Sequence, residues 1–184
     1  MRIFITLLIL IFSIQSWTRA NDISDFQIEG ISIGESLLDY YDANEIEINK
    51  RDYYVSPEFV AVKMLIDSEQ YHFVDIHYKK DSNFIIHSVD GIFNIENIDE
   101  CRNKIKNIDD EFSKIFTNSK KGEWIEEPMF SKDGHLYGYY YLLKSGDWAE
   151  ISCYKFKSRD RPDHGRVSLY TKEFDEWMKT VQYK

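Results

Sequence analysis

A stripe of apolar residues in the middle of the chain most constrains its fold. Cys101, Ile105, Ile108, Phe112 and Ile115 step by four, three, four and three, which places them on one face of an α-helix. The spacing predicts a helix over 98–116, with Asn97 and Glu100 as its capping signature. Asp99, Arg102, Lys106, Asp109, Asp110 and Lys114 fall on the opposite face, which should be solvated. A helix with one apolar stripe must bury it against another layer.

Strand patterns on both sides of this helix supply that layer. Before it, 53–65, 71–79 and 84–94 read as strands, separated by the turn clusters 67–69 and 80–83. After it come 127–130, 135–144, 147–157 and 166–170. Short links favour antiparallel meanders. Ser36 with Asp39 caps a short helix ahead of the first meander, and 43–49 form a second helical turn. Thr171 caps a last helix, in which Phe174, Trp177, Met178 and Val181 share a face. The order predicts an α+β fold, with antiparallel sheet packed against the central helix and the C-terminal helix. It also reads as two degenerate helix-plus-meander halves, without a residue-level repeat between them.

The N-terminus has the layout of a secretory signal. Arg2 precedes the apolar run 3–14, and Thr18 and Ala20 are small enough for a cleavage site after Ala20. The run is shorter than the roughly 20 residues of a spanning helix. No lipobox cysteine stands at the site. The expected organisation is therefore a signal peptide over 1–20 and a single α+β domain over 21–184, periplasmic or secreted, with no stable membrane span after cleavage. Loss of Arg2 and Arg19 takes the formal charge from −9 to −11. An acidic surface repels phosphate backbones and argues against nucleic acid as a partner. With 43% hydrophobic and 16% aromatic residues over its full length, the chain can bury a core.

Cys101 and Cys153 are an even pair, and in an oxidising compartment an even pair is a disulfide candidate. Cys101 lies on the apolar face of its helix. Ala149, Ile151 and Cys153 share one strand face by alternation. Both sulfurs therefore point into one layer. Two buried free thiols are the alternative.

No motif dictates a chemistry. Gly30-Ile31-Ser32-Ile33-Gly34 is a literal G-x-S-x-G, the pattern of a nucleophile elbow, but no parallel βαβ framework precedes it. An ordinary glycine-bracketed turn before a capped helix accounts for it without any chemistry. Asp75 and His77 alternate onto one strand face, with His72 opposite and His87 on the next strand. No zinc spacing or H-E-x-x-H occurs, so the pair reads as a surface ion pair, and no metal or cofactor is implied. The loop 159–166 mixes charges, and Asp163 and His164 are its candidates for catalysis. With Ser145-Gly146 as a two-residue turn, Tyr137, Tyr139 and Tyr141 share a face with Trp148, Ser152, Tyr154 and Phe156. That face is a candidate binding surface for a glycan, a peptide or a protein, unless a second layer covers it. The leading expectation is a non-catalytic binding or envelope-accessory domain. The alternative is a small secreted hydrolase using Ser32 or the Asp163/His164 loop.

The segment from Ile28 through Gly30-Ile31-Ser32-Ile33-Gly34 to Tyr41 resembles the opening of small uncharacterised secreted proteins of AT-rich marine bacteria. Cys153-Tyr154 and Thr171-Lys172-Glu173-Phe174 are similar to their C-terminal part. Ile33-Gly34 ahead of a capped helix and a meander also resembles the SmpA/BamE-like and β-lactamase-inhibitor-like envelope modules. That likeness implies a helix-plus-antiparallel-sheet binding protein.

Overall fold

One antiparallel sheet of nine strands carries both predicted meanders. The computed structural model describes residues 22–129, 132–158 and 160–183; the signal peptide expected over 1–20 lies outside them. The elements follow in order: β1 (Gln27–Ile28), β2 (Ile31–Ser32), α1 (Ala43–Ile48), β3 (Lys50–Arg51), β4 (Phe59–Leu65), β5 (Phe73–Lys79) and β6 (Ile86–Asn94). Then come α2 (Ile98–Ile115), β7 (Lys120–Lys121), β8 (Ile125–Pro128), β9 (Gly134–Leu142), β10 (Trp148–Phe156), β11 (His164–Tyr170) and α3 (Lys172–Trp177), which runs on as a π-helical turn over Met178–Gln182. Among the described residues, no helix is long and apolar enough to cross a membrane.

The sheet order is β3-β4-β5-β6-β11-β10-β9-β7, with β8 also paired to β9. The last strands of the two meanders, β6 and β11, lie side by side at the centre, in the register Val89–Leu169, Asp90–Ser168 and Ile92–Arg166. The two runs of strands thus build one continuous sheet. Each is followed by a helix, but the helices take opposite faces.

α2 covers the first face. Asn97 caps it by accepting from the Glu100 N–H, and Lys114 sits in its last turn, opposite the acidic Asp99 and Glu100 of its first. Its stripe packs on Ala149, Ile151, Val167 and Leu169 in one large apolar cluster. The N-terminal segment joins the same face, with Ile23, Ile31, Leu37 and Ile46 buried there and Phe26 stacked on Phe116. Cys101 and Cys153 are disulfide-bonded and tie α2 to β10. Asp109 departs from the expected pattern. It is buried, where the spacing placed it on the solvated side, because the Tyr141 hydroxyl and Lys121 Nζ both donate to its carboxylate.

α3 covers part of the second face. Thr171 caps it, and Phe174 and Trp177 pack against Phe59 and Tyr54. The short helix under Ser36 is a 3-10 turn, Leu37–Asp39, and the second helical turn expected over 43–49 is α1, which begins under Asp42 in a capping box with Glu45. One further expectation is corrected. Residues 53–58 are loop rather than strand.

The β9–β10 turn carries the most consequential correction. Leu143 pairs with Asp147 through its N–H, Leu142 pairs with Trp148, and Gly146 has φ +93°. The loop is therefore Lys144-Ser145-Gly146, three residues ending in a left-handed glycine, where the sequence suggested two. A one-residue slip turns every side chain of a strand to the other face.

Candidate ligand-binding cleft

The second face of the sheet is polar at its centre. Alternation places Asp75 and His77 of β5, Ser88 and Asp90 of β6, Arg166 and Ser168 of β11, and Glu150, Ser152 and Tyr154 of β10 on that side. These four strands are neighbours in the sheet, so the side chains form one continuous floor. A cleft of about 420 Å³ lies above it. Its walls come from elements far apart in sequence. The loop before β4 contributes Tyr53 and Tyr54. The C-terminal helix contributes Phe174, Met178, Lys179 and Tyr183. β8 and the residue after it add Ile125, Pro128 and Met129, and the adjoining ends of β10 and β11 with the loop between them add Phe156, His164 and Arg161.

Two hydrogen-bonded groups organise the floor. In the first, the Tyr54 hydroxyl lies 2.6 Å from His77 Nδ1, and His77 Nε2 lies 3.1 Å from Asp90 Oδ2. A carboxylate can only accept, so Nε2 carries the proton facing Asp90. Phe174 of α3 stacks on the imidazole, which fixes its plane. In the second, Glu150 Oε1 accepts from the Ser152 hydroxyl at 2.6 Å, from Arg166 at 3.1 Å and from the Tyr154 hydroxyl at 3.2 Å. The Arg166 guanidinium lies over the Tyr154 ring, 4.4 Å from its centroid.

The two floor aspartates titrate in opposite directions. Burial pushes Asp90 up, but Arg166 and His77 outweigh it and hold its carboxyl below the ordinary range. Asp75 faces Asp90 directly across the β5–β6 pairing. Burial, reinforced by the Asp90 charge, raises Asp75 to about 6 against the pull of His77, Lys63 and Arg166. Asp75 Oδ1 is buried and has no hydrogen-bond partner, and neither has Arg166 Nε. Burial also lowers His164, and it raises the phenols of Tyr54 and Tyr154, which therefore keep their protons.

The structure divides the aromatic surface expected from the sequence. Tyr137, Tyr139 and Tyr141 lie on the α2 side, paired with Cys153, Ile151 and Ala149. Tyr141 is 1% exposed and Tyr137 8%. Tyr139 is half-buried, edge-on to Trp124. Trp148 and Tyr154 lie on the cleft side, but Trp148 is held between Tyr140 and Tyr170, outside the lining. Only Tyr154 of the five reaches the cleft. The physical reason is the extra residue in the β9–β10 turn.

The catalytic candidates are also separated. Ser32 is 3% exposed on β2, and its N–H donates to the Tyr40 hydroxyl. Among the described residues, no histidine is hydrogen-bonded to it. Asp163 accepts the Phe156 N–H and so shapes the β10–β11 connection. His164 lines the cleft and stacks on Tyr154, with Nδ1 3.2 Å from the Pro162 carbonyl. The Asp75–His77 pair, read from sequence as a surface ion pair, is part of the floor, and His77 is 5% exposed.

Sequence reasoning missed Tyr54, Asp90, Glu150 and Arg166. A signal for three of them was present: Asp90, Glu150 and Arg166 are charges flanked on both sides by apolar residues or glycine inside a strand. The pairing that gathers them, β6 with β11, joins segments far apart in sequence and leaves no local trace. No family model matches the chain, and no curated protein or solved structure is similar to it.

Proposed function

We propose that this is an exported, non-catalytic ligand-binding domain and that the cleft on the second face of the sheet is its site. One observation carries the reading: a hydrogen-bonded polar floor lies under walls of tyrosine, phenylalanine and methionine. Small-molecule sites have this build, with mostly apolar walls and a few placed polar groups. The apolar N-terminal run and the Cys101–Cys153 bond support a periplasmic or secreted address.

Ligand-observed NMR on the purified protein, with a panel of sugars, amines and short peptides, tests the reading. A Tyr53→Ala/Tyr183→Ala variant removes two rings from the rim. The expected result is a compound whose affinity falls about tenfold in that variant. A ligand bound equally well by both proteins would place the site elsewhere, and a panel with no hit would defeat the reading.

Hydrolysis is the second reading, and one observation favours it. Tyr54, His77 and Asp90 follow the order hydroxyl, imidazole, carboxylate. The raised Tyr54 phenol makes it a poor nucleophile. An ester or glycoside turned over by the wild type and not by His77→Ala would establish hydrolysis in place of simple binding.

A further inference from the structure

Three buried polar atoms of the floor lack partners, Asp75 Oδ1, Arg166 Nε and Ser168 Oγ, and the two that belong to residues lining the cleft are of opposite sense. Asp75 Oδ1 is an acceptor and Arg166 Nε a donor. An unmatched polar atom away from water is costly. A ligand that reached both would recover that cost, so the pair restricts what the ligand can be. An amine offers donors and serves only Asp75. A carboxylate or phosphate offers acceptors and serves only Arg166. Hydroxyl groups serve both, because each both donates and accepts.

The charges around the pair point the same way. Arg166 already faces Glu150 at 3.1 Å, and Asp90 adds a second negative charge beside it. An anionic ligand would meet this surplus of carboxylates. Around Asp75 stand His77 on its own strand, Asp90 on β6, Arg166 on β11 and Lys63, its direct register partner on β4. The Lys63 ammonium rests on the Phe73 ring, 3.5 Å from its centroid. A positive charge is therefore already next to Asp75, and the site does not call for a second.

Resting on the reading of the cleft as a ligand site, we infer that it takes a neutral sugar ring. Hydroxyls of the ring bond Asp75 and Arg166 on the floor, and its C–H faces lie against the aromatic walls, among them Tyr53 and Tyr54. The cleft volume of about 420 Å³ falls in the range of small-ligand sites and admits a monosaccharide or the end of a short glycan. Aromatic rings offer a C–H-bearing ring a large, rigid contact surface.

The test titrates the purified protein with three kinds of probe: neutral sugars (glucose, galactose, N-acetylglucosamine and cellobiose), the diamine putrescine, and the anion glucuronate. Calorimetry and saturation-transfer NMR read the binding. The expected result is that a neutral sugar binds and the two charged probes do not. Asp75→Ala should weaken that sugar about tenfold without lowering the melting temperature, since Asp75 Oδ1 makes no hydrogen bond to lose. Asp75→Asn should weaken it less, because the amide keeps an acceptor oxygen. Binding of putrescine or glucuronate alone, lost in the rim variant, would overturn the sugar and leave the cleft as a site. Sugar binding unchanged in Asp75→Ala would overturn the role of the floor. Absence of binding in all three arms would overturn both the sugar and the cleft.

Discussion

On the face that α2 covers, the sheet is apolar and packed into the main core. Asp109, the carboxylate buried there, is matched by Tyr141 and Lys121. On the other face, four neighbouring strands place charges at their centres, and a helix closes only part of the surface. There Asp75 keeps a buried oxygen without a partner. Both faces belong to the same strands: on β10, Cys153 points into the core and Tyr154 into the cleft. The contrast assigns stability to one side of a strand and recognition to the other.

The largest expected effect on that contrast comes from the covered face. Replacing both Cys101 and Cys153 by Ala opens a loop with a sequence separation of 52 residues. Stability should fall by about 4 kcal/mol. Urea unfolding measures it, and ligand affinity at the cleft should stay unchanged. Ile105→Ala, in the core under α2, should cost roughly 3–4 kcal/mol by the same measurement.

The cleft face should respond in the opposite sense. The folded state holds the Asp75 proton to about pH 6, while the ordinary value is 3.8. Between those values the folded state binds more protons, so stability from this group falls as the pH rises. The full difference is about 3 kcal/mol. Asp75→Asn should therefore match the wild type below pH 4 and exceed it above pH 6. Denaturation at the two pH values reads the difference, and equal stability of variant and wild type at both would remove the ionisation cost from the account.

The smallest effect concerns the turn that sets the faces. Gly146 has φ +93°, and a Cβ there would also meet the Lys172 side chain at 2.8 Å. Gly146→Ala should cost about 1–2 kcal/mol, detectable as a lowered melting temperature. A variant as stable as the wild type would mean that the three-residue loop does not need its left-handed position.

Much of the covered face was legible in the sequence because its signals are local and periodic. The stripe from Cys101 to Ile115 declared α2, and the direction of Cys101 and Cys153 declared their bond. The cleft was not legible, for two physical reasons. Ser145-Gly146 carries the signature of a two-residue turn, and the actual three-residue loop moves Tyr137, Tyr139 and Tyr141 under α2. The floor depends on β6 lying beside β11, a pairing set by the closure of the whole sheet. The alternation of Asp75 with His77 was visible, but nothing local placed Asp90 and Arg166 beside it.

Backbone amide shifts recorded while a binding sugar is titrated into the purified protein test the central claim most directly. Changes should concentrate on His77, Asp90, Tyr154, His164 and Arg166, on the strands that form the floor, and leave α2 and the N-terminal segment unmoved. Shifts centred on α2, or none on those four strands, would contradict the division of the sheet into a core face and a binding face.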